Sequence, residues 1–204
     1  MKKILKKIAK EFIKFLISVY CRIVYRIKVK GKENIPKEGS LIFCGNHKSY
    51  LDPVMIVCYS NRDMRFMAKD ELRKNPLFAF LGVIFDAILV KRDSKDITPI
   101  KESMKTLKNG GCLGIFPEGT RNGFEKNDGE IKGGAAHLAL KTGAKVIPIG
   151  ILGIAKPFTV NTIIFGAPLD FSEYAKDKKV DKEAEEKVSN IIKERILELA
   201  NMEI

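Results

Sequence analysis

Leu41-Ile-Phe-Cys-Gly-Asn-His-Lys-Ser-Tyr-Leu-Asp-Pro53 runs from an apolar strand, through a polar turn, into a helix opened by proline. Four consecutive apolar residues bounded by a turn suit a strand buried on both faces, the pattern of an α/β fold. Pro53 fits the first helical position, where no backbone donor is needed, and Asp52 stands where an N-cap residue stands. Working outward, Met64–Met67, Ile84–Val90, Cys112–Phe116 and Val146–Ile151 read as further strands, with a last one near Thr162–Phe165. Between them Pro53–Tyr59, Asn75–Leu81, Ile97–Leu107 and Gly134–Lys141 read as helices, and a terminal helix begins near Asp181. Alternation of this kind predicts a single-domain α/β sandwich, a mixed central sheet flanked by helices.

Ahead of this unit the segment from Ile4 to Ile27 repeats apolar residues at helical spacing: Ile4, Ile8, Phe12, Leu16, Val19, Ile23 and Ile27. Ten basic residues against the single acid Glu11 give the first thirty positions +9 of a total formal charge of +12. The expected division is therefore a basic amphipathic helix at 1–30 and a catalytic domain at 31–204. Its longest apolar stretch, Phe15–Cys21 with Ser18 inside it, is much shorter than the ~20 residues that span a bilayer. No small-residue cleavage site marks a secretion signal. A helix of this composition suits the surface of an anionic membrane, and an ordinary helix packed on its own domain shares the pattern. The 45% apolar and 30% charged residues are those of a folded globular chain rather than a disordered or polytopic one. Cys21, Cys44, Cys58 and Cys112 form no CxxC pair, so neither a zinc site nor a disulfide framework is indicated, and a reducing compartment is expected.

Two constellations carry chemistry. His47 emerges where the strand ends, and Asp52 follows one tight turn later, within reach of an imidazole nitrogen. A carboxylate so placed fixes the tautomer of a histidine that takes a hydroxyl proton as general base. The same spacing also fits a plain helix cap beside a satisfied turn. Cys44 reads as a buried small hydrophobe rather than an acyl-accepting thiolate. In Cys112-Leu-Gly-Ile-Phe-Pro-Glu-Gly-Thr-Arg121, Pro117 halts a strand and Gly119 turns the chain, presenting Glu118, Thr120 and Arg121 at the strand end. A guanidinium there can hold a phosphate in bidentate fashion. A surface ion pair between Glu118 and Arg121 is the alternative.

Together, Asn46-His-Lys-Ser-Tyr-Leu-Asp-Pro and Phe116-Pro-Glu-Gly-Thr-Arg resemble the signature blocks of the 1-acylglycerol-3-phosphate acyltransferase family, in family order. The resemblance continues through Ala68-Lys-Asp-Glu-Leu, Leu89-Val-Lys-Arg with Asp96 following, Lys132-Gly-Gly-Ala and Val146-Ile-Pro-Ile-Gly, covering residues 30 to 168. It implies that His47 and Asp52 are the general base and its orienting acid, and that Lys69, Arg92, Glu118, Gly119, Thr120 and Arg121 bind the acceptor phosphate. Gly82, Phe85 and Arg92 are candidates for the family's second block, with Asp86-Ala87 loosening the match. Pro148 falls in a fourth, apolar block, and His137 matches no catalytic position. The implied reaction carries a fatty acyl group from acyl-CoA or an acyl-acyl-carrier-protein to the sn-2 hydroxyl of 1-acyl-sn-glycerol 3-phosphate. Neither a cofactor nor a metal is expected, because the thioester is already activated. The expected partners are lysophosphatidate in the membrane and the carrier of the thioester, not nucleic acid, and the expected location is peripheral, on the cytoplasmic face of the cell membrane. Rival expectations are an acyltransferase for glycerol 3-phosphate or another lysolipid, and a non-catalytic basic module binding membranes or nucleic acid, which would tolerate loss of His47.

Overall fold

A computed structural model describes residues 2–91, 96–122, 124, 131–153, 156–175 and 180–202. In chain order the elements that position the site are α1 (Lys2–Val24), β1 (Ile27–Lys30), β2 (Leu41–Gly45), α2 (Asp52–Tyr59), β3 (Met64–Lys69), α3 (Pro76–Ile84) and β4 (Ile88–Val90). There follow α4 (Thr98–Lys108), β5 (Cys112–Ile115), α5 (Gly134–Thr142), β6 (Lys145–Leu152), β7 (Asn161–Phe165) and α6 (Lys182–Ala200). The strands form one seven-stranded mixed sheet in the order β1-β7-β6-β2-β5-β3-β4. Every pairing is parallel except β6 with β7, which is antiparallel. The expected α/β sandwich with a mixed sheet is what forms.

Central β2 is buried along its whole length, and its side chains alternate between two cores. Leu41 and Phe43 join α1, α2 and the end of α3 on one face, whereas Ile42 and Cys44 join α4, α5 and α6 on the other. Across that second face α6 lays Val188, Ile192 and Ile196, spaced four apart and fully buried. Each such side chain contributes on the order of 1.5–3 kcal/mol by leaving water.

Two sequence expectations are corrected. The amino-terminal helix does not reach Ile27: Arg26 takes a positive φ of 44°, and Ile27–Lys30 becomes an edge strand paired with β7. A division at residue 30 thus falls at the end of a strand that belongs to the sheet. The strand expected over Ile84–Val90 is only Ile88–Val90, because Ile84 closes α3 and Asp86 turns the chain with φ 52°. The rest of α1 is tied down. Cys21 is buried, Tyr59 donates its hydroxyl to Ser18 O at 2.8 Å, and Lys10 pairs with Asp63.

Candidate active site

The site lies at the carboxyl ends of β2, β5 and β3, where loops of a parallel sheet diverge and leave a crevice. Asn46 fixes the end of β2. Its amide nitrogen donates to Ile151 O at 2.9 Å, and its amide oxygen accepts from Ile151 N at 2.7 Å. One residue further on, His47 Nδ1 lies 2.9 Å from Asp52 Oδ2. That oxygen also accepts the backbone N–H groups of Lys48 and Ser49, both at 2.7 Å. Asp52 therefore does not cap α2, as its position before Pro53 suggested; its carboxylate turns back over the preceding loop. The whole side chain is buried, and Oδ1 has no hydrogen-bond partner among the described residues. With Nδ1 so engaged, Nε2 is the ring nitrogen left to face the cleft.

The turn after β5 holds His47 from the other side. Phe116 stacks on the imidazole, centroids 4.1 Å apart at 15°, and Phe66 of β3 stacks in turn on Phe116 at 5.5 Å. Gly114 makes this possible, since the Phe66 ring occupies the space that a Cβ at 114 would need. Glu118 is not a phosphate ligand of the kind the resemblance implied. It is 3% exposed, and its two oxygens accept the backbone N–H groups of His47 at 2.7 Å and Phe124 at 2.9 Å. A buried carboxylate holding two loop amides is a clamp, and its charge would repel a phosphate. Nor does it form the alternative surface pair with Arg121, whose guanidinium lies 3.6 Å above the Tyr50 ring.

His47 opens into a cleft of about 1130 Å³. Lys69, Gly119, Thr120 and Arg121 all line it, together with Gly82 and Phe85. Arg92 lies outside the described residues. Lys132 also reaches the cleft, draped over Gly119, whose φ of 66° and missing side chain leave room for it; a Cβ there would come within 2.6 Å of Lys132 Cε. Lys69, Arg121 and Lys132 have no carboxylate partner among the described residues, so this wall presents net positive charge to an anion. Much of the remaining lining is apolar, with Val54, Val57, Leu81, Leu89 and Leu138, and Arg73, Asp86, His137 and Glu185 also border it. Pro148 is buried in β6 and belongs to the core. Cys44 is fully buried, and desolvation pushes its thiol up, which removes it as a nucleophile at neutral pH. His137, given no place by its sequence context, does line the cleft and meets Glu185 of α6 with Nδ1 3.0 Å from Oε2. That pairing spans 48 residues, as the Asn46 and Glu118 clamps span 105 and 71, and no local spacing signals any of them.

A family model described as Acyltransferase matches residues 26–152. The chain is 33% identical over 147 residues to the 1-acyl-sn-glycerol-3-phosphate acyltransferase of Borreliella burgdorferi, covering 71% of this chain and 58% of that protein. It is 28% identical over 181 residues to the enzyme of the same name from Bacillus subtilis, covering 86% and 88%. It spans about half the length of several of the curated relatives that it matches. The crystal structure of the 1-acyl-sn-glycerophosphate (LPA) acyltransferase PlsC from Thermotoga maritima superposes over 100% of both chains with a TM-score of 0.63 at 23% identity, a likeness of fold.

Proposed function

The chain belongs to the Acyltransferase family, and from that premise we propose that it acylates the sn-2 hydroxyl of 1-acyl-sn-glycerol 3-phosphate, giving phosphatidic acid. The donor is a thioester of coenzyme A or of acyl carrier protein. The observation that carries this reading is His47 Nδ1 held 2.9 Å from the buried Asp52 carboxylate, at the mouth of a cleft whose walls are cationic on one side and apolar on the other.

The acceptor phosphate sits against Arg121 and Lys69, which brings its free hydroxyl to His47 Nε2. That nitrogen takes the hydroxyl proton as the oxygen attacks the thioester carbonyl, and Asp52 stabilises the imidazolium that forms. Collapse of the tetrahedral adduct breaks the C–S bond, and the imidazolium proton passes to the departing thiolate. Stacking on Phe116 and the Glu118 clamp on the His47 amide hold the ring in one orientation, which is where much of the rate of such a reaction comes from. The protein works at the membrane surface as a peripheral enzyme. No helix among the described residues is long and apolar enough to cross a bilayer, while α1 leaves Ile8, Phe12, Phe15, Leu16 and Ile23 at least half exposed.

The test is thiol release from an acyl-CoA or acyl-acyl-carrier-protein, with and without lysophosphatidate, by the parent protein and by His47→Ala. Lysophosphatidate-dependent release that vanishes in a folded His47→Ala variant is expected. Release that survives the substitution removes His47 as base, and release that responds to glycerol 3-phosphate or another lysolipid instead reassigns the acceptor.

A further inference from the structure

Helix α3 carries no polar side chain from Pro76 to Ile84, yet none of its residues is buried. A helix apolar on all sides belongs inside a core or in lipid, and this one only touches a core along one edge, with Leu81 and Ile84 partly buried. One side, with Phe78, Ala79, Leu81 and Gly82, lines the cleft that His47 faces. The other side projects Leu77 and Phe80, at i and i+3, with exposures of 59% and 51%, and Val83, 67% exposed, stands at the edge where that side meets the cleft. Leu81 and Ile84 pack against the same core as Ile17 of α1, so both helices stand on one face of the sheet, and both turn bare apolar stripes outward there.

We infer that α3 is a second membrane-inserting helix, seated at the boundary between headgroups and acyl chains of an anionic bilayer, and that it makes one wall of the cleft continuous with the lipid. The role of that wall rests on the proposed function: the acceptor's acyl chain passes along the inner side of α3 while its phosphate stays with Lys69 and Arg121. A bilayer fits better than a protein partner for two reasons. Protein interfaces carry a polar rim around their apolar centre, and α3 has none along its length. The cations that would meet anionic headgroups on this face are those of α1, since in the turn in front of α3, Asp70–Lys74, two acids balance two bases and Arg73 pairs with Asp70 at 3.6 Å. At nine residues the helix is about 14 Å long, which suits lying in the interface and not crossing it.

The experiment places an environment-sensitive fluorophore on Phe80→Cys, and as a control on Lys108→Cys at the exposed end of α4 on the opposite face. The native thiols compete poorly, because Cys21, Cys44 and Cys112 are buried and burial pushes Cys58 up to about 12. Mixed with phosphatidylcholine–phosphatidylglycerol vesicles, the probe at 80 should shift to the blue and be quenched by spin-labelled acyl chains, and the probe at 108 should do neither. The paired substitution Leu77→Ser and Phe80→Ser should lower the partition of the full chain onto the same vesicles at least about tenfold. A probe at 80 that stays in water on vesicle-bound protein overturns the inference, as does failure to bind vesicles at all. Shielding of that probe already in lipid-free protein, the mark of a second copy covering α3, overturns it too. Probe depth requires no turnover, so thiol release with a water-soluble short-chain lysophosphatidate judges the catalytic reading separately.

Discussion

Asp52 Oδ2 collects one imidazole nitrogen and two backbone N–H groups, so the carboxylate is held in one orientation in a buried setting. Asp52→Asn nearly preserves the shape but removes the charge that would stabilise the imidazolium of the proposed mechanism, and its amide can turn an N–H toward Nδ1 and favour the other tautomer. The expected outcome is a fall in kcat of about 10²–10⁴ with KM little changed, read from thiol release at saturating acceptor. A kcat within about threefold of the parent would mean that the pair is structural and that another group takes the proton. At this scale the sequence was readable where chemistry repeats a local pattern. His47 and Asp52 are five positions apart, and Arg121 stands at a strand end with a glycine beside it. It was unreadable where a side chain serves the main chain of a distant segment. Glu118 looked like part of a ligand turn because nothing local says that its oxygens hold the amides of His47 and Phe124.

Strands β3 and β5 meet the His47 loop through one aromatic column, Phe66 on Phe116 on His47, and that column stands on the absence of a side chain at Gly114. A methyl group there must displace a rigid ring that is only 5% exposed. Overpacking of this sort costs about 1–3 kcal/mol, and here the strain passes to the imidazole. Gly114→Ala should therefore lose about that much stability in urea unfolding and lose turnover as well. Adding Phe66→Leu, whose shorter side chain makes room, should recover stability beyond the sum of the two single changes, a positive coupling in the double-mutant cycle. Strict additivity would show that the two positions do not press on each other. Element boundaries were less legible than elements. Ile27-Lys-Val-Lys30 alternates with the period of a strand, but the helical stripe of α1 runs into Ile27 and hides it. Ile84–Val90 is apolar throughout except for Asp86, and apolar runs do not distinguish a buried strand from the end of a surface helix followed by a short strand.

Across the whole molecule, the net charge and its concentration in α1 were open to reading from composition, whereas the placement of α1 and α3 on one face was not, since it depends on how strands far apart in sequence are ordered in the sheet. The four cysteines show the same limit: their spacing indicated no metal framework, but only the fold reveals that three are buried, Cys44 in one core and Cys21 and Cys112 in the other. Burial raises these thiols from the ordinary value of 9, Cys21 to about 11 and Cys58 to about 12, and Cys44 upward as well. Below about pH 9 folded and unfolded chains both keep these protons, and the stability is fully present. As the pH rises further the unfolded chain ionises first, so the native state binds more protons and stability falls, until each thiol's folded value is passed. A thiol as deeply buried as Cys44 costs about 1.4 kcal/mol of stability per pH unit in that window. Urea unfolding at pH 8 and pH 10.5 should show the parent losing stability over the interval. Cys44→Ala has no thiolate to form in the unfolded chain, so it should lose less, by roughly 2 kcal/mol, whatever its starting stability. If parent and variant decline in parallel, the alkaline loss comes from other groups, Tyr59 first among them because burial raises its hydroxyl from 10 to about 12.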